Sequence, residues 1–291
     1  MIHNIDAILK EHFDFPGERA EVLSETNNHV FQVTDVNDKR YILKCFDSRR
    51  SNAYRREVGM RDCLDNFSDI RFPKIIRNIQ VADVYYLLLE YIAGDNLQAV
   101  WDNDRSQASR EMSKLGKMLA SLHQIPVEKA RKFLSLEDVL YSRVYFVKMK
   151  ETIIPHQQKL DTEQLLEKCY GTIIQTSLKN SVTHADFGPH QIVVTKDSQW
   201  VLLDFEYAAI APFADDLSGT EIRLEQRNYP NIDNFLCGYT KNPEILDSYN
   251  SVRNSFKAYN LLAMLTYTIY QGKTPTKDKL ERLYTLLTQI T

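Results

Sequence analysis

Two carboxylates flank a short predicted hairpin late in the chain: Asp186, in Thr183-His184-Ala185-Asp186-Phe187-Gly188-Pro189-His190-Gln191, and Asp204, in Leu203-Asp204-Phe205-Glu206. At the two ends of one hairpin they can point into the same space. Phosphoryl transfer uses such a pair, one carboxylate to orient a hydroxyl and accept its proton, the other to hold the magnesium that neutralises a triphosphate. Gln191, five residues after Asp186, offers a carboxamide oxygen that can share this hard cation with Asp204. Far upstream, Tyr41-Ile42-Leu43-Lys44-Cys45-Phe46 sets a lysine inside an apolar strand. A buried ammonium without a partner is costly, so Lys44 is expected to face an acid or an anionic ligand. Glu57, on the following predicted helix, is the natural acid, and a strand lysine paired with a helix glutamate can steady α and β phosphates.

The elements that must hold these residues are of two kinds. Glu21–Leu23, Val30–Asp35 and Arg40–Phe46 are short and rich in β-branched or aromatic residues, with Asn37-Asp38-Lys39 turning the last two into a hairpin. Pro73–Ile79 and Val84–Glu90 read as two more strands, Ile2–Phe13 and Asn52–Leu64 as helices. Together they predict a small antiparallel-sheet lobe over residues 1–92. A hinge is expected at about 90–96, where Gly94 permits a turn. The remainder, 93–291, reads as mainly helical: Ser106–His123, Leu136–Lys150, Thr162–Leu178, and everything after the late hairpin, including the apolar stretch Ala258–Tyr270. Only one more strand pair is expected there, Ile192–Thr195 with Trp200–Leu203, turned by Lys196-Asp197-Ser198. The expected class is α+β with two lobes.

His184-x-Asp186, an amide at Gln191 and then Asp204-Phe205-Glu206 resemble the catalytic and metal motifs of the aminoglycoside phosphotransferase and choline kinase family. The likeness runs along nearly the whole chain, through Asn28-His29-Val30-Phe31, Leu43-Lys44, Glu57, Leu89-Glu90-Tyr91-Ile92-Ala93-Gly94, the stretch from Leu115-Gly116 to His123-Gln124-Ile125-Pro126, and Asp216-Leu217. It implies a bilobal protein-kinase-like fold with a small antiparallel-sheet N-lobe and a mainly helical C-lobe. By position it implies Asp186 as catalytic base, Gln191 and Asp204 as magnesium ligands, Lys44 as phosphate ligand and Asn28 in the nucleotide loop. The backbones of Glu90 and Ile92 would hold adenine, and acidic residues after Asp204, Glu206 first, would help form the acceptor site. The implied activity is transfer of the γ-phosphoryl group of ATP or GTP to a hydroxyl of a small polar molecule, an aminoglycoside-type antibiotic first, with choline, homoserine or a sugar behind it. The sequence departs from the family pattern at Ala185, often glycine, and at Gln191, usually asparagine, where an added methylene moves the liganding oxygen by about 1.5 Å. The loop Ser24–His29 also lacks a glycine that would let its amides fold over phosphates. These departures keep a second class in view, a catalytically weak kinase-like module that binds a ligand or a partner protein.

Each residue also has a plain structural reading. Asp186 alone could cap a turn, Lys44 could carry its head to water, and Glu57 could sit on a solvated helix face; their value is joint. His184 is expected to brace its loop and His190 to lie in a loop near the acceptor. A metal held by His184, Asp186 and His190 in a hydrolase lacks any further His or Cys at a supporting distance. Between Tyr207 and Phe235 five acids, Asp215, Asp216, Glu221, Glu225 and Asp233, outnumber Arg223 and Arg227. That excess suits a cationic acceptor, with Glu221 and Glu225 as candidates to bind it. A solvated helix face explains it almost as well, and Asp216 can serve simply to hold the catalytic loop.

Bulk composition narrows the partners. With 291 residues, 26% charged and a formal charge of −3, the chain has no basic field to grip a nucleic acid. The four cysteines are widely spaced without Cys-x-x-Cys, which argues against a disulfide framework or a structural zinc site and favours a reducing compartment. No run approaches the ~18 apolar residues needed to span a bilayer, and charges interrupt what would be a signal core at the N-terminus. The expectation is a cytoplasmic protein, monomer or weak homodimer, whose partners are a nucleotide and a small hydroxyl acceptor, with no nucleic acid and no membrane.

Overall fold

A computed structural model describes residues 5–13, 19–24, 28–67, 70–134, 142–157 and 159–290. The first part of the chain is α1 (Ile5–His12), β1 (Arg19–Ser24), β2 (His29–Thr34), β3 (Arg40–Asp47), α2 (Ser51–Phe67), β4 (Ile75–Val81) and β5 (Val84–Glu90). The five strands form one antiparallel sheet in the order β1-β2-β3-β5-β4. Alternation along β3 sorts its side chains. Tyr41, Leu43 and Cys45 pack with Phe31, Val33, Tyr86 and Leu88 and against Ile8, Leu9 and Phe13 at α1. Phe46 and Ile42 join Leu87, Leu89 and Ala53 of α2 in the cluster on the opposite side. Lys44, two residues from each, therefore emerges on the α2 side. The turn before β3 is fixed by Asp35, whose Oδ1 accepts the N–H groups of Asn37 and Lys39, both at 2.9 Å.

Beyond β5 come β6 (Gly94–Asn96), α3 (Leu97–Asn103), α4 (Arg105–His123), α5 (Val127–Ala130), α6 (Arg143–Ile153) and α7 (Thr162–Gln175). After them follow β7 (Asn180–Thr183), β8 (Ile192–Thr195), β9 (Trp200–Leu202) and β10 (Ala209–Pro212). The chain closes with α8 (Ala214–Gln226), α9 (Asp233–Tyr239), α10 (Pro243–Asn250), α11 (Arg253–Tyr270) and α12 (Lys277–Thr288). Packing divides it into two compact units, residues 1–100 with 190–207, and 101–189 with 208–291. The β8–β9 hairpin, expected with the helical part, thus belongs by its packing to the unit of the five-stranded sheet. It pairs with β6 on one side and bridges to Arg71 on the other.

Three short strands, β6, β7 and β10, go beyond the single late pair expected. Each has three or four residues, too few to show a period of two. The sequence Gly94-Asp95-Asn96 has no strand formers and is extended because Val193, Val194 and Thr195 pair with it. Gly94 is extended in β6 without a positive φ, and a Cβ there would run into the Val194 carbonyl. The predicted helix Leu136–Lys150 is α6, capped by the Ser142 hydroxyl, which accepts the Tyr145 N–H at 3.2 Å; residues 135–141 lie outside the described residues, as do residues 2–4 of the predicted first helix. In the second unit α4 and α9 pack closely, because a Cβ on Gly116 or Gly238 would meet the backbone of the opposite helix. No helix among the described residues is long and apolar enough to cross a membrane.

Candidate active site

Within the first unit a cavity of about 400 Å³ is lined by Lys44, Glu57, Glu90, Ile92, Gln191 and Asp204, together with apolar groups that include Val30, Ile42, Leu89 and Leu203. Six candidates drawn from separate parts of the sequence thus line one space. Lys44 Nζ donates to Asp204 Oδ1 at 2.8 Å and lies 3.4 Å from Glu57 Oε1. Burial works against the Lys44 charge, but Asp204 and then Glu57 outweigh it and hold the ammonium above its usual range. Glu57 is fully buried and receives Arg61 Nη2 on Oε1 and the Phe205 backbone N–H on Oε2, each at 2.6 Å. Burial alone would raise this carboxyl; Lys44 and Arg61 overcome it and hold the pKa down at about 2. Through the Phe205 N–H, Glu57 also fixes the backbone beside Asp204, which itself sits at φ +62°.

The other candidates of this unit fall around the same cluster. Glu90 is tied to the β4 entrance, its N–H donating to the Lys74 carbonyl at 2.9 Å and its carboxylate accepting the Lys74 N–H at 3.2 Å. Asn28 donates its amide to Glu206, and Arg50 Nη2 lies 3.0 Å from the same carboxylate oxygen. Glu206 is buried, and burial with the neighbouring Asp204 carboxylate pushes its pKa above the usual range. It is tied to Asn28 and Arg50 beside the Lys44 cluster. His190 contributes a backbone carbonyl, which accepts Asn96 Nδ2 at 2.8 Å. Residues 25–27 of the glycine-free loop lie outside the described residues.

In the second unit Asp186 stands in a loop held by α8. Asp216 accepts the His184 N–H at 2.7 Å and the Ala185 N–H at 2.8 Å, one on each oxygen. It also meets His123 Nε2 at 3.1 Å, and His123 Nδ1 in turn meets the Tyr239 hydroxyl at 2.8 Å. Burial would raise the Asp216 carboxyl, but the hydrogen bond and charge of His123 hold it below the usual range. One turn on, the Thr220 hydroxyl donates to the Phe187 carbonyl at 3.2 Å, and a further turn on Arg223 pairs with the Asp186 carboxylate. Positions 216, 220 and 223 share one helix face, so a single stripe of α8 carries the loop. His184 is fully buried, and its backbone N–H ties the loop to Asp216.

Ala185 adopts φ +61°, a region that costs a residue with a Cβ about 1 kcal/mol or more. Ala185→Gly is therefore expected to stabilise the fold by about 0.5–1 kcal/mol, the relief being partly offset by the greater freedom of glycine in the unfolded chain. Thermal unfolding should show a rise of roughly 1–3 °C. A fall would show that the methyl group contributes more by packing than the backbone loses.

The acidic residues of α8 do not form the open anionic surface that their number suggests. Glu221 is fully buried, accepts the Tyr249 hydroxyl, and is bound by Arg253 through Nε at 3.0 Å and through Nη2. Glu225 is bound by Lys257 and by Arg282. The solvated-face alternative fails as well, because α8 is buried from Ala214 through Ile222. The local excess of acids omitted cations that α11 and α12 bring from 30 to 60 residues away in sequence.

A family profile described as the phosphotransferase enzyme family matches residues 19–222. The chain belongs to this family. Comparison with curated proteins by sequence finds no match. Among solved structures the chain is similar to the GDP complex of wild-type aminoglycoside 2′-phosphotransferase-IIIa, with a TM-score of 0.69 at 14% identity, over 97% of this chain and 95% of the other. It is similar to an ethanolamine kinase of Plasmodium vivax, with a TM-score of 0.64 at 15% identity, over 97% and 85%. It is also similar to the amicoumacin kinase hAmiN in complex with AMP-PNP, Ca2+ and amicoumacin, with a TM-score of 0.62 at 18% identity, over 93% and 87%. At these identities the likeness carries the fold, which is α+β and protein-kinase-like, and leaves the acceptor open.

A divalent cation held beside a triphosphate would need hard oxygen donors, and the donor set fits. Asp204 and Gln191 line one cavity, and the Asp204 carboxylate already draws the Lys44 ammonium to 2.8 Å. Among the described residues no group of three or more His, Cys, Asp or Glu could enclose a metal alone. Phosphate oxygens and water would complete the shell, as magnesium prefers. One partner of a candidate residue in each unit escaped sequence reasoning, Arg61 beside Glu57 and Arg223 beside Asp186. Their signals were spacing along a helix: Arg61 stands four residues after Glu57, and Arg223 seven after Asp216.

Proposed function

We propose that this phosphotransferase moves the γ-phosphoryl group of ATP or GTP to a hydroxyl of a small polar molecule. The observation that carries the reading is the Lys44–Asp204–Glu57 cluster in a nucleotide-sized cavity that Gln191, Glu90 and Ile92 also line. Lys44, oriented by Glu57, would steady the α and β phosphates, and Asp204 with Gln191 would hold magnesium, which when bound neutralises charge on the transferring group. Glu90, Tyr91 and Ile92 would take the base edge. Asp186, on a loop fixed through its backbone by Asp216, would orient the acceptor hydroxyl and accept its proton. Kinship of fold with an aminoglycoside phosphotransferase makes aminoglycosides one acceptor class to be tried; the charge argument that put them first no longer supports that choice, since Glu221 and Glu225 are already paired.

Purified protein should be stabilised against thermal unfolding by millimolar ATP or GTP, and more so with magnesium present. A ligand at 100 times its Kd adds about 2.7 kcal/mol, and the larger shift of the two identifies the preferred purine. Absence of any metal-dependent shift at millimolar nucleotide would put the ligand-binding or protein-binding module ahead of the enzyme.

A further inference from the structure

We propose that Arg223 sets the charge of the acceptor site, so that the chain phosphorylates a compound that is neutral or anionic beside the reacting hydroxyl and discriminates against polyamines. This rests on the kinase reading above, with Asp186 as base.

Three observations converge. First, the Arg223 guanidinium is in direct contact with the Asp186 carboxylate, and both side chains stay part-exposed, 21% and 25%, so a ligand that reaches one reaches the other. Second, α8 makes room for this placement at Gly219, four residues earlier: a Cβ there would lie 3.1 Å from Arg223 Nη1 and 3.4 Å from Asn260 Oδ1. Third, the carboxylates around it are matched within the fold. Glu221 is held by Arg253 and Tyr249, Glu225 by Lys257 and Arg282, Asp215 by Asn260 Nδ2 at 3.1 Å, and Asp216 by His123 and two backbone amides. A site that binds polyamines needs carboxylates left for the substrate's ammonium groups. On α8 those groups are spent internally, and a fixed cation stands at the base instead. An acceptor whose hydroxyl bonds Asp186 has its neighbouring substituent within a few ångströms of that guanidinium, where an ammonium is repelled and a carboxylate can form the paired contact that guanidinium geometry favours.

The test compares four acceptors, glucuronate, glucose, glucosamine and kanamycin; the first three share a pyranose frame and differ in charge. Release of nucleoside diphosphate by the full chain is followed with each, for the parent, Arg223→Gln, Arg223→Lys and Asp186→Ala. The parent is expected to favour glucuronate over glucosamine by at least about 10-fold in kcat/KM, which is about 1.4 kcal/mol. Arg223→Gln should shrink this ratio to within about twofold while Arg223→Lys keeps most of it, a split that loss of folding would not produce. A parent that prefers glucosamine or kanamycin, a ratio unchanged in Arg223→Gln, or an Asp186-dependent release that none of the four compounds alters overturns the inference and leaves the kinase reading standing. Release that does not differ between the parent and Asp186→Ala removes the kinase reading, and this inference with it.

Discussion

Asp186→Ala is expected to lower phosphoryl transfer by about 1,000-fold, the middle to upper range of what a positioned general base contributes, while nucleotide affinity stays within about twofold of the parent. The two halves of this expectation come from different parts of the molecule. All residues lining the nucleotide-sized cavity lie in the first compact unit, whereas Asp186 and its partners lie in the second. Truncating its side chain leaves that cavity's lining intact. The loop should also survive, because it is anchored through the His184 and Ala185 N–H groups on Asp216 and through the Phe187 carbonyl on Thr220, none of which involves the Asp186 carboxylate. The variant frees Arg223, a part-exposed cation whose loss of partner costs far less than that of a buried one. Steady-state release of nucleoside diphosphate, set beside the nucleotide-induced thermal shift, separates the two effects. Turnover within tenfold of the parent would remove Asp186 from the proton transfer.

The way these residues are held explains what could be read from the chain and what could not. Strands β2, β3 and β5 were legible because each concentrates β-branched, aromatic or aliphatic residues over six to eight positions. Lys44 stood out because an ammonium in the middle of an apolar strand demands a partner, and that demand alone led to Glu57. Arginines on helices make no such demand. Arg61 and Arg223 look like ordinary solvated residues until the fold shows one buried against Glu57 and the other folded over Gly219 onto Asp186. Counting charge along a stretch failed at Glu221 and Glu225 for a related reason. Electrostatic partners are neighbours in space, and Arg253, Lys257 and Arg282 arrive on helices that a window around α8 does not contain. Short strands fail in the same way, since the extended shape of Gly94-Asp95-Asn96 is imposed by β8 and not by its own side chains.

Replacing Glu57 should cost more stability than any other single change at the site. Its carboxylate is fully buried among Lys44, Arg61 and the Phe205 N–H, so Glu57→Ala strands two cations and a backbone donor together, a loss of about 3–5 kcal/mol by comparison with other broken buried pairs. Thermal unfolding should fall by roughly 10 °C. Glu57→Gln keeps the volume and the acceptor oxygen for Phe205 but removes the charge, so its loss relative to the parent reports the ionised form alone. The sign of its pH dependence follows from the depressed pKa. A carboxyl lowered from 4.5 to about 2 on folding adds stability that is complete above pH 4.5 and disappears as pH falls toward 2. The gap between parent and Glu57→Gln in denaturant unfolding should therefore be wide at pH 7 and narrow progressively below pH 4.5. A gap of equal size at pH 7 and pH 3 would mean that packing, and not the charge on Glu57, is what holds Lys44 and the Phe205 backbone in place. In that case Asp204 would be the one anion fixing the Lys44 charge, and a nucleotide that draws Asp204 toward a metal would leave the ammonium with packing but no fixed counter-charge. A charged Glu57 avoids this conflict: its partners are protein groups, so the lysine would keep one fixed anion while Asp204 turned to the proposed cation.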